Sequence, residues 1–220
     1  MMKIIYLVLT LLILLKLGFT SLPSNFFDSN AVESIVKDAG IPNTVSAIIL
    51  RNRLYDTIFE VTVFTIAIMG VAYLLADEKP TPKIYQFTDS PSIVLARLGA
   101  TISALVGIEL AIRGHLSPGG GFAAGVAGGT AIGLVAITSS TEMMENIYKK
   151  WQASTWEKVS VIIFVLISIF SLVGLELGHG QFGELFSGGW ITVLNIIVAI
   201  KVTLGSWAAV LLFIRYRGLL

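Results

Sequence analysis

Six stretches of this chain are apolar over lengths that match the thickness of a lipid bilayer: roughly residues 3–20, 57–76, 91–112, 121–138, 159–178 and 189–214. Few features constrain a fold more. A helix needs about 20 predominantly apolar residues to cross the hydrocarbon core, and a strand that did so would alternate apolar and polar side chains. These runs are continuous, so the expected class is an all-α integral membrane protein with about six transmembrane helices in a bundle. The composition agrees, with 55% hydrophobic and only 13% charged residues and a mean hydropathy of +0.85.

The charges are swept into the connectors. The first run, "IIYLVLTLLILLKLGF", follows Lys3 as a signal-peptide core would, but Lys16 falls late in it and no clear A-x-A site follows, which favours a retained span. Residues 21–56 are polar and then amphipathic, and "NTVSAIILRNRLYD" reads as an interfacial helix leading into the second span. The connector "ADEKPTPKIYQFTDSPS" from Ala76 to Ser92, with three prolines, marks the best boundary. It separates a two-span part, residues 1–80, from a four-span part, residues 91–217. With the N-terminus inside, Lys3, Lys79, Lys83, Lys149, Lys150, Lys158, Arg215 and Arg217 collect on one side, against Lys37, Arg51, Arg53 and Arg113 on the other. That excess places both termini in the cytoplasm of a cell-membrane protein.

Net charge is +1, so nucleic acid is not an expected partner. The chain has no cysteine and two histidines, which leaves no ligand set for an iron–sulfur cluster, haem or zinc; no cofactor and no metal are expected.

The segment from His115 to Ile137, "HLSPGGGFAAGVAGGTAIGLVAI", carries eight glycine or proline residues in apolar surroundings. Gly121, Gly125, Gly129 and Gly133 recur every four residues, flanked by Ala124, Gly128 and Ala131, and so line one ridge of a helix where another backbone can approach closely. Ahead of the ridge, Pro118, Gly119, Gly120 and Gly121 stand at the mouth of the span. Either this is a tight structural turn, or its free N–H groups and the helix dipole receive an anion or a carboxylate from a neighbouring subunit.

Ionisable groups at membrane depth are costly, and each is a candidate functional site until a partner is found. Lys201 falls near the middle of the last run, in "LNIIVAIKVTLGSW". It is either a proton-carrying group or a structural lysine paired with a carboxylate of another helix. Asp56 and Glu60, in "RLYDTIFEVTVF", are four apart and share a helix face. Two such carboxylates can pass a proton or bind a hard cation. Asp56 has a simpler account in a pair with Arg53, whereas Glu60 lies deeper. Glu109 and Arg113 have the spacing of an intrahelical pair. Glu176, His179 and Glu184 gather at the exit of the fifth run, as a solvated cluster would.

"RGHLSPGGGFAAGVAGG", Arg113 to Gly129, resembles the signature of the B subunit of Mrp- or Mnh-type multisubunit Na+/H+ antiporters, in which a G-H-x-x-P-G-G-G-F run begins a span. The stretch from about 91 to 217, ending in the lysine-bearing "LNIIVAIKVTLG", is similar to the rest of that subunit. "AIILRNRLYDTIFEVTVFTIAIMGV" resembles the small E-type domain at the end of the antiporter's A subunit, a separate subunit in archaeal membrane-bound hydrogenases and their sulfur-reducing relatives. The resemblance implies a subunit of an ion-translocating module, with Na+ and H+ as its ions and other membrane subunits and the bilayer as its surroundings. By position, Asp56 and Glu60 match the acidic residues of the E-type domain, His115 and Pro118 to Phe122 the B-subunit motif, and Lys201 the last-span lysine. Carrying both parts on one chain favours a hydrogenase or sulfane reductase complex over a plain antiporter.

The expected function is therefore a non-catalytic membrane subunit contributing to the cation or proton path through Asp56, Glu60, Lys201, Glu109 and His115. The alternative is a structural scaffold of the same kind of complex with silent, paired charges. A hydrolase using Ser117 and His115 is disfavoured, because no nucleophile elbow surrounds the serine and no third group orients the histidine.

Overall fold

The computed structural model describes residues 29–82 and 84–218, so the run at 3–20 lies outside the described residues. The chain divides into two units between Ser34 and Ile35, and the architecture below is that of the described residues of the second. All regular structure among the described residues is helical. After α1 (Ser29–Ala39) come a single α-helical turn, α2 (Thr44–Ala47), and a π-helical turn, Ile48–Asn52. The long helices are α3 (Leu54–Leu74), α4 (Ser90–Arg113), α5 (Gly120–Ala136), α7 (Ala153–Leu172) and α8 (Trp190–Arg217), with a surface helix α6 (Thr141–Lys150) between α5 and α7. Four of them, α3, α4, α7 and α8, are long and apolar enough to cross a membrane. The fifth, α5, has 17 residues, about 25 Å of helix at 1.5 Å per residue.

Each boundary has a local cause. Asp89 caps α4, its Oδ2 accepting the Ser92 N–H at 2.9 Å, with Pro91 in the first turn. Ser140 caps α6 through the Met143 N–H at 3.2 Å. The section expected as one interfacial helix is interrupted instead. Asn43 caps α2, the ladder slips to π geometry, and at Arg53 the backbone leaves helical values (φ −121°, ψ 33°) before α3 starts. Buried Thr57 donates to the Ile49 carbonyl at 2.5 Å, so the slipped turn is tied to α3.

The connectors define two ends. At one, Thr81 N–H donates to the Arg215 carbonyl at 2.9 Å, Arg217 bridges to Glu78 at 2.9 Å, and Gln86 reaches the Ser139 carbonyl. At the other, α2, the 114–119 turn and the 173–189 loop gather. The main core runs through α3, α7 and α8: Leu54 and Val61, Phe164, and Leu194, Val198 and Val202 are fully or almost fully buried together.

The glycine ridge lies against this chain's own last helix rather than a helix of a neighbouring subunit. A Cβ added to Gly125 would come 2.7 Å from Val202 Cγ1 and 3.0 Å from the Ala199 carbonyl, and one on Gly129 would meet Ser206 Cβ at 2.5 Å. On the opposite side, a Cβ on Gly107 of α4 would fall 3.0 Å from the Ala124 carbonyl. Helix α5 is thus held backbone to backbone between α4 and α8.

Candidate ion-pair site in the helix bundle

Lys201 sits twelve residues into the 28-residue α8 and is fully buried. Its Nζ lies 3.5 Å from Glu157 Oε1 of α7 and 3.8 Å from the centre of the Phe64 ring of α3. Thr65 Oγ1, which also donates to the Val61 carbonyl at 3.1 Å, stands 3.4 Å from the same carboxylate oxygen. Three helices therefore contribute one cation, one anion, one hydroxyl and one aromatic face. Gly205, one turn beyond Lys201, lets the ring lie close: a Cβ there would meet Phe64 Cε1 at 2.6 Å.

The pair is loose. A charge-assisted hydrogen bond measures about 2.7–2.9 Å. At 3.5 Å the Lys201 ammonium makes an ion pair, and its Nζ has no hydrogen-bond partner. Removing two charges from water costs several kcal/mol per ion, and only good geometry recovers it. An unsatisfied buried ammonium facing a carboxylate is poor as a stabilising device and well suited to changing its protonation or its partner.

The sequence does not single out Glu157, because the apolar run begins at about 159. A signal was present: Ala153, Glu157, Ser160, Phe164 and Ser168 recur at helical spacing and form the buried face of α7. Asn195, fully buried, was also missed. Its Nδ2 donates to the Leu110 and Ala111 carbonyls at 3.2 and 2.8 Å, occupying acceptors that the end of α4 leaves free.

The other candidates are distributed elsewhere. Asp56 accepts from Arg53 Nε at 2.6 Å, which is the pairing its position suggested. Glu60, one turn on, faces outward and has no hydrogen bond or ion pair among the described residues. Glu109 pairs with Arg113 at 3.1 Å on an exposed face. Glu176 is engaged by Arg51 at 3.2 Å and His179 at 3.3 Å.

His115 is fully buried at the opposite end of the bundle from the Arg217 cluster. Its Nε2 lies 3.4 Å from the Glu184 carbonyl, its Nδ1 has no partner, and burial pushes its pKa below the ordinary histidine value. The turn around it is built by side chains of the α2 segment. Asn43 Nδ2 donates to the Gly114 and Ser117 carbonyls, both at 2.7 Å, and Ser46 Oγ donates to Gly114 at 2.8 Å. Gly119 (φ +129°) and Gly120 (φ +67°) take backbone conformations that other residues rarely adopt. Side chains of the α2 segment thus pin the turn at Gly114 and Ser117, and Gly120 to Phe122 begin α5. Ser117 Oγ donates to the Arg113 carbonyl at 3.3 Å, and no hydrogen bond joins it to His115.

Apolar helices running in alternating directions around a buried ion pair define a multi-pass integral membrane protein of the helix-bundle class. More particularly, the chain belongs to the family of domains related to the MnhB subunit of the Na+/H+ antiporter, whose family model matches residues 91–208. That range contains the whole glycine motif, Glu157, Asn195 and Lys201. Among solved structures, a chain of the membrane-bound sulfane sulfur reductase, an archaeal respiratory membrane complex, is similar at 27% identity with a TM-score of 0.71. The match covers 98% of this chain and 99% of that one. A chain of the Mrp complex from Dietzia sp. DQ12-45-1b shares the fold at 19% identity and a TM-score of 0.61, covering 87% of this chain and 23% of that one. No curated protein sequence matches the chain.

Proposed function

We propose that this chain is a non-catalytic membrane subunit of an Mrp-like, antiporter-related module within a respiratory complex, and that it contributes to the path of a proton or cation. The observation that carries this reading is the fully buried Lys201 ammonium, loosely paired with Glu157 and free of hydrogen bonds. Similarity over nearly the full length of both chains to a subunit of the sulfane sulfur reductase supports the kind of complex. In this reading residues 1–80 correspond to the E-type part, both termini are cytoplasmic, and neighbouring membrane subunits complete the path. Glu60, outward-facing on α3, is one group of this chain that would meet such a neighbour; Asp56, Glu109 and His115 hold local structure.

The test is Na+-dependent and proton-dependent transport by vesicles containing the whole complex, with Glu157→Gln and Lys201→Gln compared with the unaltered protein at equal assembly. Loss of transport with intact assembly is the expected result. A second reading, a structural scaffold, is favoured by the close packing of α5 between α4 and α8. It predicts unchanged transport in both variants, with any defect confined to assembly.

A further inference from the structure

A cavity of about 310 Å³ opens at the Arg217 end of the bundle, walled by Ala72 of α3 and Ala208 of α8 and bordered by Glu145, Lys149 and Arg215. Glu157 also lines it. The lining side chains range in exposure from 72% at Lys149 and 46% at Arg215 to 24% at Glu145 and 7% at Glu157, whose partner Lys201 is fully buried. Neighbouring charges are close: Lys149 and Arg215 lie 3.8 and 3.7 Å from Glu145. The volume has room for on the order of ten water molecules at about 30 Å³ each.

On the other side of the pair lies an apolar layer. Val61 of α3, Phe164 of α7 and Val198 of α8 belong to one buried apolar cluster and are each no more than 1% exposed. In chain direction, each lies towards the His115 end relative to Thr65, Glu157 and Lys201 on its own helix. They have no polar side-chain atom with which to hold water.

We propose that this cavity is a hydrated access path bringing protons to the Glu157–Lys201 pair from the Arg217 end alone, and that the Val61–Phe164–Val198 layer closes the route to the opposite end. The proposal rests on the pair being a proton site, as argued above. A hydronium ion in the cavity gives its proton to the Glu157 carboxylate and is left as water. The neutral acid no longer balances the Lys201 ammonium, so one proton arriving from one face changes the electrostatics of the bundle centre. Ile68, Met69, Leu211 and Leu212 make much of the lining apolar, but an apolar occupant such as a lipid chain would leave the buried Glu157 carboxylate unsolvated on its cavity side, whereas water solvates it.

The chain has no native cysteine, so an introduced one reports its own position on this subunit. In the assembled complex, Ala72→Cys, Ala208→Cys and Val198→Cys are exposed to a membrane-impermeant cationic methanethiosulfonate, in vesicles of each orientation. Lys150→Cys, at the same end as the cavity, marks the side. The two cavity cysteines should label from the side that labels Lys150→Cys, and at least about tenfold faster than Val198→Cys, because the reacting thiolate forms readily only where water reaches it. Labelling from both sides, or equal labelling of Val198→Cys, overturns the proposal. So does failure of both cavity cysteines to react with the charged reagent while membrane-permeant N-ethylmaleimide modifies them, the outcome expected of a lipid-filled cavity. Transport lost in Glu157→Gln with unlabelled cavity cysteines would keep the ion-path reading and reject this route. Transport intact in Glu157→Gln would reject the ion-path reading and with it the proton role of the cavity.

Discussion

Alanine at Gly125 and alanine at Gly133 are the same chemical change on the same ridge of α5, yet the structure assigns them opposite signs. A Cβ at Gly133 has its nearest neighbour, Val210 Cγ2, at 3.9 Å, an ordinary contact. Only the helix-propensity gain remains, up to about 1 kcal/mol. At Gly125 the added Cβ would stand 2.7 Å from Val202 Cγ1 and 3.0 Å from the Ala199 carbonyl, well inside the optimum of about 3.5–4.0 Å. Val202 is buried and β-branched, so it cannot swing away cheaply, and α8 must move instead. Overpacking of this kind costs about 1–3 kcal/mol. After the propensity gain, Gly125→Ala should lose up to about 2 kcal/mol, and because both variants share that gain, the difference between them is the overpacking cost, roughly 1–3 kcal/mol. Thermal unfolding of this subunit within the purified complex gives the ranking, with Gly129→Ala, whose Cβ meets Ser206 Cβ at 2.5 Å, falling beside Gly125→Ala. Equal effects at Gly125 and Gly133 would refute the packing argument. So would a Gly125→Ala chain that unfolds normally but fails to assemble, since the ridge would then face another subunit.

Asn195→Leu, close in size, should cost about 1–3 kcal/mol in the same unfolding assay, because the Leu110 and Ala111 carbonyls lose their buried donor. His115 gives a pH dependence of definite sign. Its folded-state pKa is pushed down by burial, so the unfolded chain takes up a proton first as the pH falls through the ordinary value of 6.5. Stability is full above that value and declines below it, and His115→Gln should flatten the decline in thermal melts recorded from pH 8 to about 5. Glu60→Gln, outward-facing and unpaired within the described residues, should leave subunit stability within about 0.5 kcal/mol of the parent, and any transport loss in vesicles would then locate its partner on a neighbour. Gly205→Ala, whose Cβ would meet Phe64 Cε1 at 2.6 Å, should displace the ring from Lys201 and weaken transport without removing a charge.

Much of the bundle was legible in the apolar runs, because membrane length and continuity leave little freedom. The run at 91–112 becomes a helix at 90–113, and 121–138 becomes 120–136. The fifth run was placed too late, at 159–178 against Ala153–Leu172, because Glu157 and Lys158 depress local hydropathy although Glu157 is buried. That offset hid the partner of Lys201. The glycine spacing announced a close helix contact but not with which helix, since a smooth ridge does not specify what lies against it. The short helix Thr141–Lys150 falls between the fourth and fifth apolar runs, where its charged sequence leaves no membrane-length signal, and its Met144 docks near Ala136 and Leu211.

Where helices α4, α5 and α8 meet, the glycines of α4 and α5 receive carbonyls of Ala124 and Ala199 and the side chains of Val202, Thr203 and Ser206 at close range. Such a contact either holds or breaks, so the three behave mechanically as one slab. Helices α3 and α7 pack on this slab through side chains that include Phe64 and Phe164. Lys201 belongs to the slab, and Glu157 and Thr65 to the two helices packed against it. Every relative shift between the two is therefore added directly to a separation of 3.5 Å, where attraction varies inversely with distance. A lateral push of 1–2 Å from a neighbouring subunit, of the order found in helix shifts at subunit interfaces, would weaken that attraction by roughly a quarter to a third.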